Sequence, residues 1–169
     1  GFLLTAIPNW TGRLPLQGIP LGGLVLTWLL GRVCVAFSAW TGPVVAAVVD
    51  IAFLATLFAV VAREILAGRN WRNLPVTAAL ACLIAANVLI HLGAIQETDL
   101  VETGKRFAIA VIIMLISLIG GRIVPSFTTN WLRRQGAEAF PIPFGPFDKA
   151  TLALALIALA AWVTTGLGD

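Results

Sequence analysis

Long apolar runs, each about as long as a bilayer is thick, alternate along this chain with short polar or Gly/Pro-rich connections. A helix needs about 20 apolar residues to cross a hydrocarbon core. The runs of suitable length cover residues 21–40, 44–66, 74–95, 106–123 and 149–166. Between them fall turn-forming residues: Pro15 and Pro20, Gly42 with Pro43, Gly68, Gly104, and the cluster Pro141, Pro143, Gly145 and Pro146. The opening run GFLLTAI starts abruptly, without a charged flank, and reads as the tail of a severed helix that ends before Pro8. The pattern predicts an all-α fold: a polytopic transmembrane helix bundle of five spans plus the end of a truncated preceding helix. It predicts a single bundle over residues 1–169, as a fragment of a longer membrane protein.

Composition supports a lipid solvent. The chain is 59% hydrophobic and 11% charged, against about 25% charged in an ordinary soluble domain. A mean hydropathy of +0.96 exceeds what a soluble core can bury. In lipid every backbone polar group must be satisfied internally, which a helix does by itself.

The basic excess, +3 at neutral pH, forms no soluble patch and so excludes nucleic acid as a partner. It reads better as topology, because lysine and arginine are retained on the cytoplasmic side during insertion. Arg13, Arg63, Arg69, Arg72, Arg122, Arg133, Arg134 and Lys149 fall on one set of connections; Lys105 and Arg106 fall on the other, beside Glu97, Asp99 and Glu102. This places the segment after Pro8 in the cytoplasm and Asp169 outside. Trp10, Trp40, Trp71, Trp131 and Trp162 lie near span ends, where indole prefers the headgroup level. The stretch 124–147 mixes aromatic residues with Arg133 and Arg134, which suits either an anionic membrane surface or a solvated loop packed on the bundle.

A charge at the centre of a membrane helix costs about 2.5–3.5 kcal/mol on insertion scales and calls for a named partner. Arg32 and Asp50 are the two such residues, set at similar distances on either side of the turn at Thr41. A helical rise of 1.5 Å per residue puts both roughly 12 Å below the outer surface. An ion pair there would neutralise both charges. Such a pair either only orients two helices or faces a polar cavity, where it would contact an anionic cofactor group or relay protons. A transporter using the Arg32/Asp50 pair is the alternative from another functional class.

His91 is the only histidine, near the outer end of the third span and roughly 7 Å deep by helical rise. Asn87 precedes it by one turn on the same face. Neutral imidazole is a common metal and haem ligand; the plainer reading is an interfacial histidine bonded to a carbonyl or water. Cys34 and Met114 lie in the same outer half, whereas Cys82 is deeper and suits packing. Phosphate-binding glycine loops, CxxC pairs, HExxH and activated serine or cysteine nucleophiles are all missing from the sequence. Any catalysis would need a bound cofactor.

Two segments carry more than composition: GFLLTAIPNWTGRLP at residues 1–15 and GGRIVPSFT at residues 120–128. Together they resemble the NnrS family of multi-span membrane proteins, and WLLGR at 28–32 and HLG at 91–93 sit where that family would have them. The resemblance implies a protein of the bacterial inner (plasma) membrane that is associated with haem and copper. It also implies involvement in nitric oxide metabolism, denitrification or resistance to nitrosative stress, with nitric oxide itself as a possible partner. It makes His91 a haem or copper ligand and Arg32 a partner for a haem propionate, the remaining ligands lying outside this chain. Asn9–Arg13 reads as a turn with a packing or interaction role, and Gly120 and Gly121 as points of close helix approach before Pro125 ends the span.

Overall fold

The computed structural model describes residues 2–12 and 14–166, without the side chains of residues 2, 7 and 9–11. Helices account for nearly all of this, and no strand occurs among the described residues. They are α1 (Phe2–Thr11), α2 (Ile19–Ala36), the single turn α3 (Ser38–Thr41), α4 (Pro43–Ala67), α5 (Leu74–Gln96), α6 (Leu100–Arg134) and α7 (Pro146–Thr165). Five segments are long and apolar enough to cross a membrane: Ile19–Ala36, Pro43–Ala67, Trp71–Gln96, Leu100–Arg134 and Pro146–Thr165. This is a membrane protein, and its natural surroundings are a lipid bilayer.

The outward-facing side chains agree. Ile116, Ile157 and Leu154 are 66–68% exposed, a ruinous arrangement in water but a neutral one against acyl chains. Since lipid offers helices no hydrophobic drive to associate, close contact must come from small residues and polar links.

The chain divides into two compact units, Gly1–Ala108 and Ile109–Asp169. In the first, α4 is the central helix and packs against α1, α2 and α5. Val61 and Ile65 of α4 and Leu80 of α5 form a small fully buried cluster, joined by Leu3, Leu57, Phe58 and Leu83. Pro43 begins α4 and Pro75 the first turn of α5, where a missing N–H costs no helical bond. Gly42 turns the chain with φ of 85°, open to glycine at little cost. The α5–α6 hairpin is tight: Glu97 closes α5 in the left-handed region. A Cβ on Gly93 would overlap the backbone of Leu100 and Val101, and one on Gly104 would lie 2.9 Å from Ala86 O and Ile90 N.

In the second unit, α6 is followed by a Pro- and Phe-rich strap, residues 135–145, that folds back along it. Arg133 sits over the Phe140 ring at 5.5 Å and Arg122 over Phe144 at 5.7 Å. The strap enters α7 through a capping box, in which the Gly145 N–H donates to Asp148 Oδ2 at 2.7 Å.

Several expected boundaries move. The first helix runs through Pro8 to Thr11 instead of ending before it, so Asn9, Trp10 and Thr11 are helical rather than a turn; their side chains, Arg13 and Asp169 lie outside the described residues. The expected span 21–40 is interrupted at Phe37, whose carbonyl accepts from Thr41 Oγ1 at 3.2 Å. Gly104 is no breaker but a packing position inside α6. Pro125 does not end the span, because α6 continues to Arg134 and makes the first part of the 124–147 stretch helix rather than loop. A Cβ on Gly121 would lie 3.4 Å from the Phe144 ring of the strap, not against a helix, and nothing lies within 4 Å of a Cβ on Gly120.

The two glycines give a matched test. Gly104→Val should lower the stability of the detergent-solubilised protein by about 1–3 kcal/mol through overpacking, while Gly120→Val should leave it near wild type. Thermal midpoints from size-exclusion chromatography of heated samples would read both, and equal midpoints would refute the tight α5–α6 packing.

Candidate functional site

The polar centre of the first unit is built on one carboxylate. Asp50, 4% exposed on α4, receives side chains from two neighbouring helices. Arg32 of α2 pairs with Oδ1 through Nη2. On the other oxygen, Asn87 Nδ2 of α5 donates to Oδ2 at 3.0 Å, and His91 Nε2 lies 3.1 Å from the same atom.

Small residues make this convergence possible. A Cβ on Gly31 would lie 3.1 Å from Asp50 Oδ1 and 3.2 Å from Asp50 Cα, so α2 can approach α4 at this level only with glycine or a slight retreat. Ala46 and Ala47, both buried, hold the preceding turn of α4. Asn87 and His91, four residues apart, share one face of α5 and reach the same carboxylate oxygen.

The chemistry of the cluster follows from its donors. A carboxylate facing a guanidinium and an amide N–H is an acceptor on both oxygens. His91 must therefore present Nε2 as N–H, since two acceptors at 3.1 Å would repel. Among the described residues Asp50 is the sole polar contact of His91, and Nδ1 keeps its lone pair. Asn87 Oδ1 is buried and meets no donor among the described residues. Arg32 is half exposed, with N–H groups beyond the one that Asp50 takes.

The structure thus brings together Arg32, Asp50 and His91, which the sequence singled out, and adds Asn87 as a fourth member that the sequence noted only for sharing a face with His91. It leaves Cys34 and Cys82 as free, half-buried thiols. No group of three or more His, Cys, Asp or Glu side chains suited to a metal ion occurs among the described residues. The donor set fits one ligand position and one carboxylate-binding arginine, not a complete coordination sphere. The transport alternative gains no support: α4 and α5, which carry Asp50, Asn87 and His91, run unbroken, without the interrupted spans of carriers.

Fold and site together define a polytopic membrane protein with a carboxylate-centred polar cluster between three helices. Residues 1–168 match the family described as NnrS protein. The chain belongs to the NnrS family, and membership suggests a nitric oxide-related membrane protein. No curated protein and no solved structure matches it.

The cluster makes an energetic prediction. Asp50→Ala strands a cation and two further donors, and should cost about 3 kcal/mol, the low end for a broken buried pair because Arg32 is half exposed. The double variant Arg32→Leu/Asp50→Leu should recover most of that loss. Denaturation in mixed detergent micelles would measure both, and strict additivity of the single substitutions would show that the pair is not coupled.

Proposed function

We propose that this chain is part of a haem- and copper-associated protein of the bacterial inner membrane that acts in nitric oxide metabolism, in denitrification or in resistance to nitrosative stress. Family membership supports the setting, and the observation that carries the site is the Asp50–His91 contact. Metal-bound histidines almost always anchor their second ring nitrogen on a carboxylate, carbonyl or water, and His91 is held in that manner. His91 offers one metal ligand. Arg32 offers its outward N–H groups to a carboxylate such as a haem propionate, the bidentate partner that guanidinium prefers. The remaining ligands come from outside residues 1–169.

When bound, haem and copper would supply the redox and nitric oxide-binding chemistry. The chain's own residues orient the ligand: Asp50 aims His91, Asn87 fixes the Asp50 carboxylate, and Arg32 balances its charge. The apolar spans around them keep bulk water away from the cluster.

For topology we place the start of the chain on the cytoplasmic side and Asp169 outside, from the sidedness of Arg63, Arg69, Arg72, Arg122, Arg133, Arg134 and Lys149. The Asp50 cluster then lies toward the outer leaflet.

Two measurements test these readings. The optical spectrum and metal content of the protein purified in detergent from its native membrane should show a Soret band and copper; a preparation free of both would sink the proposal. Single cysteines at Thr41 and Arg69, introduced into a variant with Cys34 and Cys82 replaced, should differ in labelling of intact cells by an impermeant maleimide. Position 41 should react and position 69 should not, and the reverse pattern would invert the topology.

A further inference from the structure

The hydrogen bonding around Asp50 says which atom of His91 is available, and that restricts what it can hold. Nε2 faces Asp50 Oδ2 at 3.1 Å as an N–H donor. Asn87 Nδ2, 3.0 Å from the same oxygen, and Arg32 on the other oxygen prevent the carboxylate from turning away. The carboxylate is thereby pinned by donors from two sides, and the imidazole with it. The open lone pair is on Nδ1.

Nδ1 and Nε2 are not equivalent as ligands. Nδ1 adjoins Cγ, which carries Cβ and the main chain, so a porphyrin plane centred on an iron at Nδ1 would run into the histidine's own stem. A bare or hydrated ion has no such plane. Imidazole suits copper of either charge. A second feature agrees: Asn87 Oδ1, one turn earlier on the same face of α5, is a buried acceptor without a donor among the described residues. An unmet buried acceptor costs about 1–3 kcal/mol, and water carried by a metal ion is one source of the missing donor.

We infer that His91 binds a copper ion through Nδ1, and not haem iron, with Asp50 and Asn87 as the positioning residues that select the Nε2–H tautomer. The inference rests on the copper part of the functional reading above; haem, where present, takes its axial ligands elsewhere. Arg32 stays available to a carboxylate group.

In the protein labelled with 15N-histidine and purified with a histidine-free tag, the imidazole signals that disappear on His91→Ala are those of His91 and can be followed by NMR. Before metal is added, Nε2 should be protonated and Nδ1 not. Cu(I) should shift the Nδ1 signal while the Nε2 proton remains, and haemin should shift neither. His91→Ala should lose copper and keep an unchanged Soret band. The charge-neutral Arg32→Leu/Asp50→Leu variant, which strands no ion, should show both tautomers and bind Cu(I) about 10–100-fold more weakly.

A Nδ1–H tautomer in the metal-free protein, a Cu(I) shift at Nε2, no response to Cu(I), or a haemin-dependent shift of His91 would each overturn the inference. The tautomer is read without any cofactor, so a failed functional reading and a failed ligand assignment give different results.

Discussion

The fold around the site depends on satisfying one carboxylate inside a lipid-facing bundle. Asp50 sits on the central helix α4, and three donors from α2 and α5 close around it. In hydrocarbon, where apolar surfaces give helices no reason to prefer each other over lipid, such a polar knot fixes which helices meet and at what level. Gly31 lets α2 come close enough for Arg32 to reach, and the four-residue spacing of Asn87 and His91 brings both to one oxygen. Strength is not the point of the arrangement, since removing an ion pair cleanly is often harmless. Its effect is to set register and orientation, including that of the imidazole.

Part of this was legible in the sequence. Arg32 and Asp50 share a depth by counting residues from the turn at Thr41, because a short hairpin between two straight helices leaves little freedom. The meeting of α5 with Asp50 was not countable in that way. The connection from Gly68 to Asn73 contains Arg69 in the left-handed region and a 3₁₀ turn from Trp71, and neither feature announces how far it offsets the next helix. Depth estimates put His91 and Asp50 roughly 5 Å apart, about one helical turn; side-chain reach closes that gap. Asn87 gave no signal beyond its place on the face of His91.

Helix ends were misjudged for one recurring reason. Pro8 and Pro125 read as terminators because in water a lost hydrogen bond ends a helix. The chain nevertheless stays helical through both, α1 running on to Thr11 and α6 to Arg134. Gly104 was misread in the same spirit, as flexibility instead of proximity. The segment WLLGR shows why such a glycine goes with a functional side chain: Gly31 adjoins Arg32 and permits the close approach of α2 to Asp50, while Gly93 in HLG serves the approach of Leu100 and Val101.

The length of α6 has its own consequence. Its 35 residues amount to roughly 52 Å at 1.5 Å per residue, against about 30 Å of hydrocarbon. Tilt absorbs only part of such a mismatch, so 35 helical residues exceed what hydrocarbon alone would cover, and the end with Arg133 and Arg134 is the part suited to lie outside it. The strap then carries the chain back along α6, from Phe140 at Arg133 to Phe144 at Arg122, and α7 begins two residues later at Pro146. The result is a strap laid against its own helix instead of a slack loop. Its anchor points include aromatic faces on guanidinium groups.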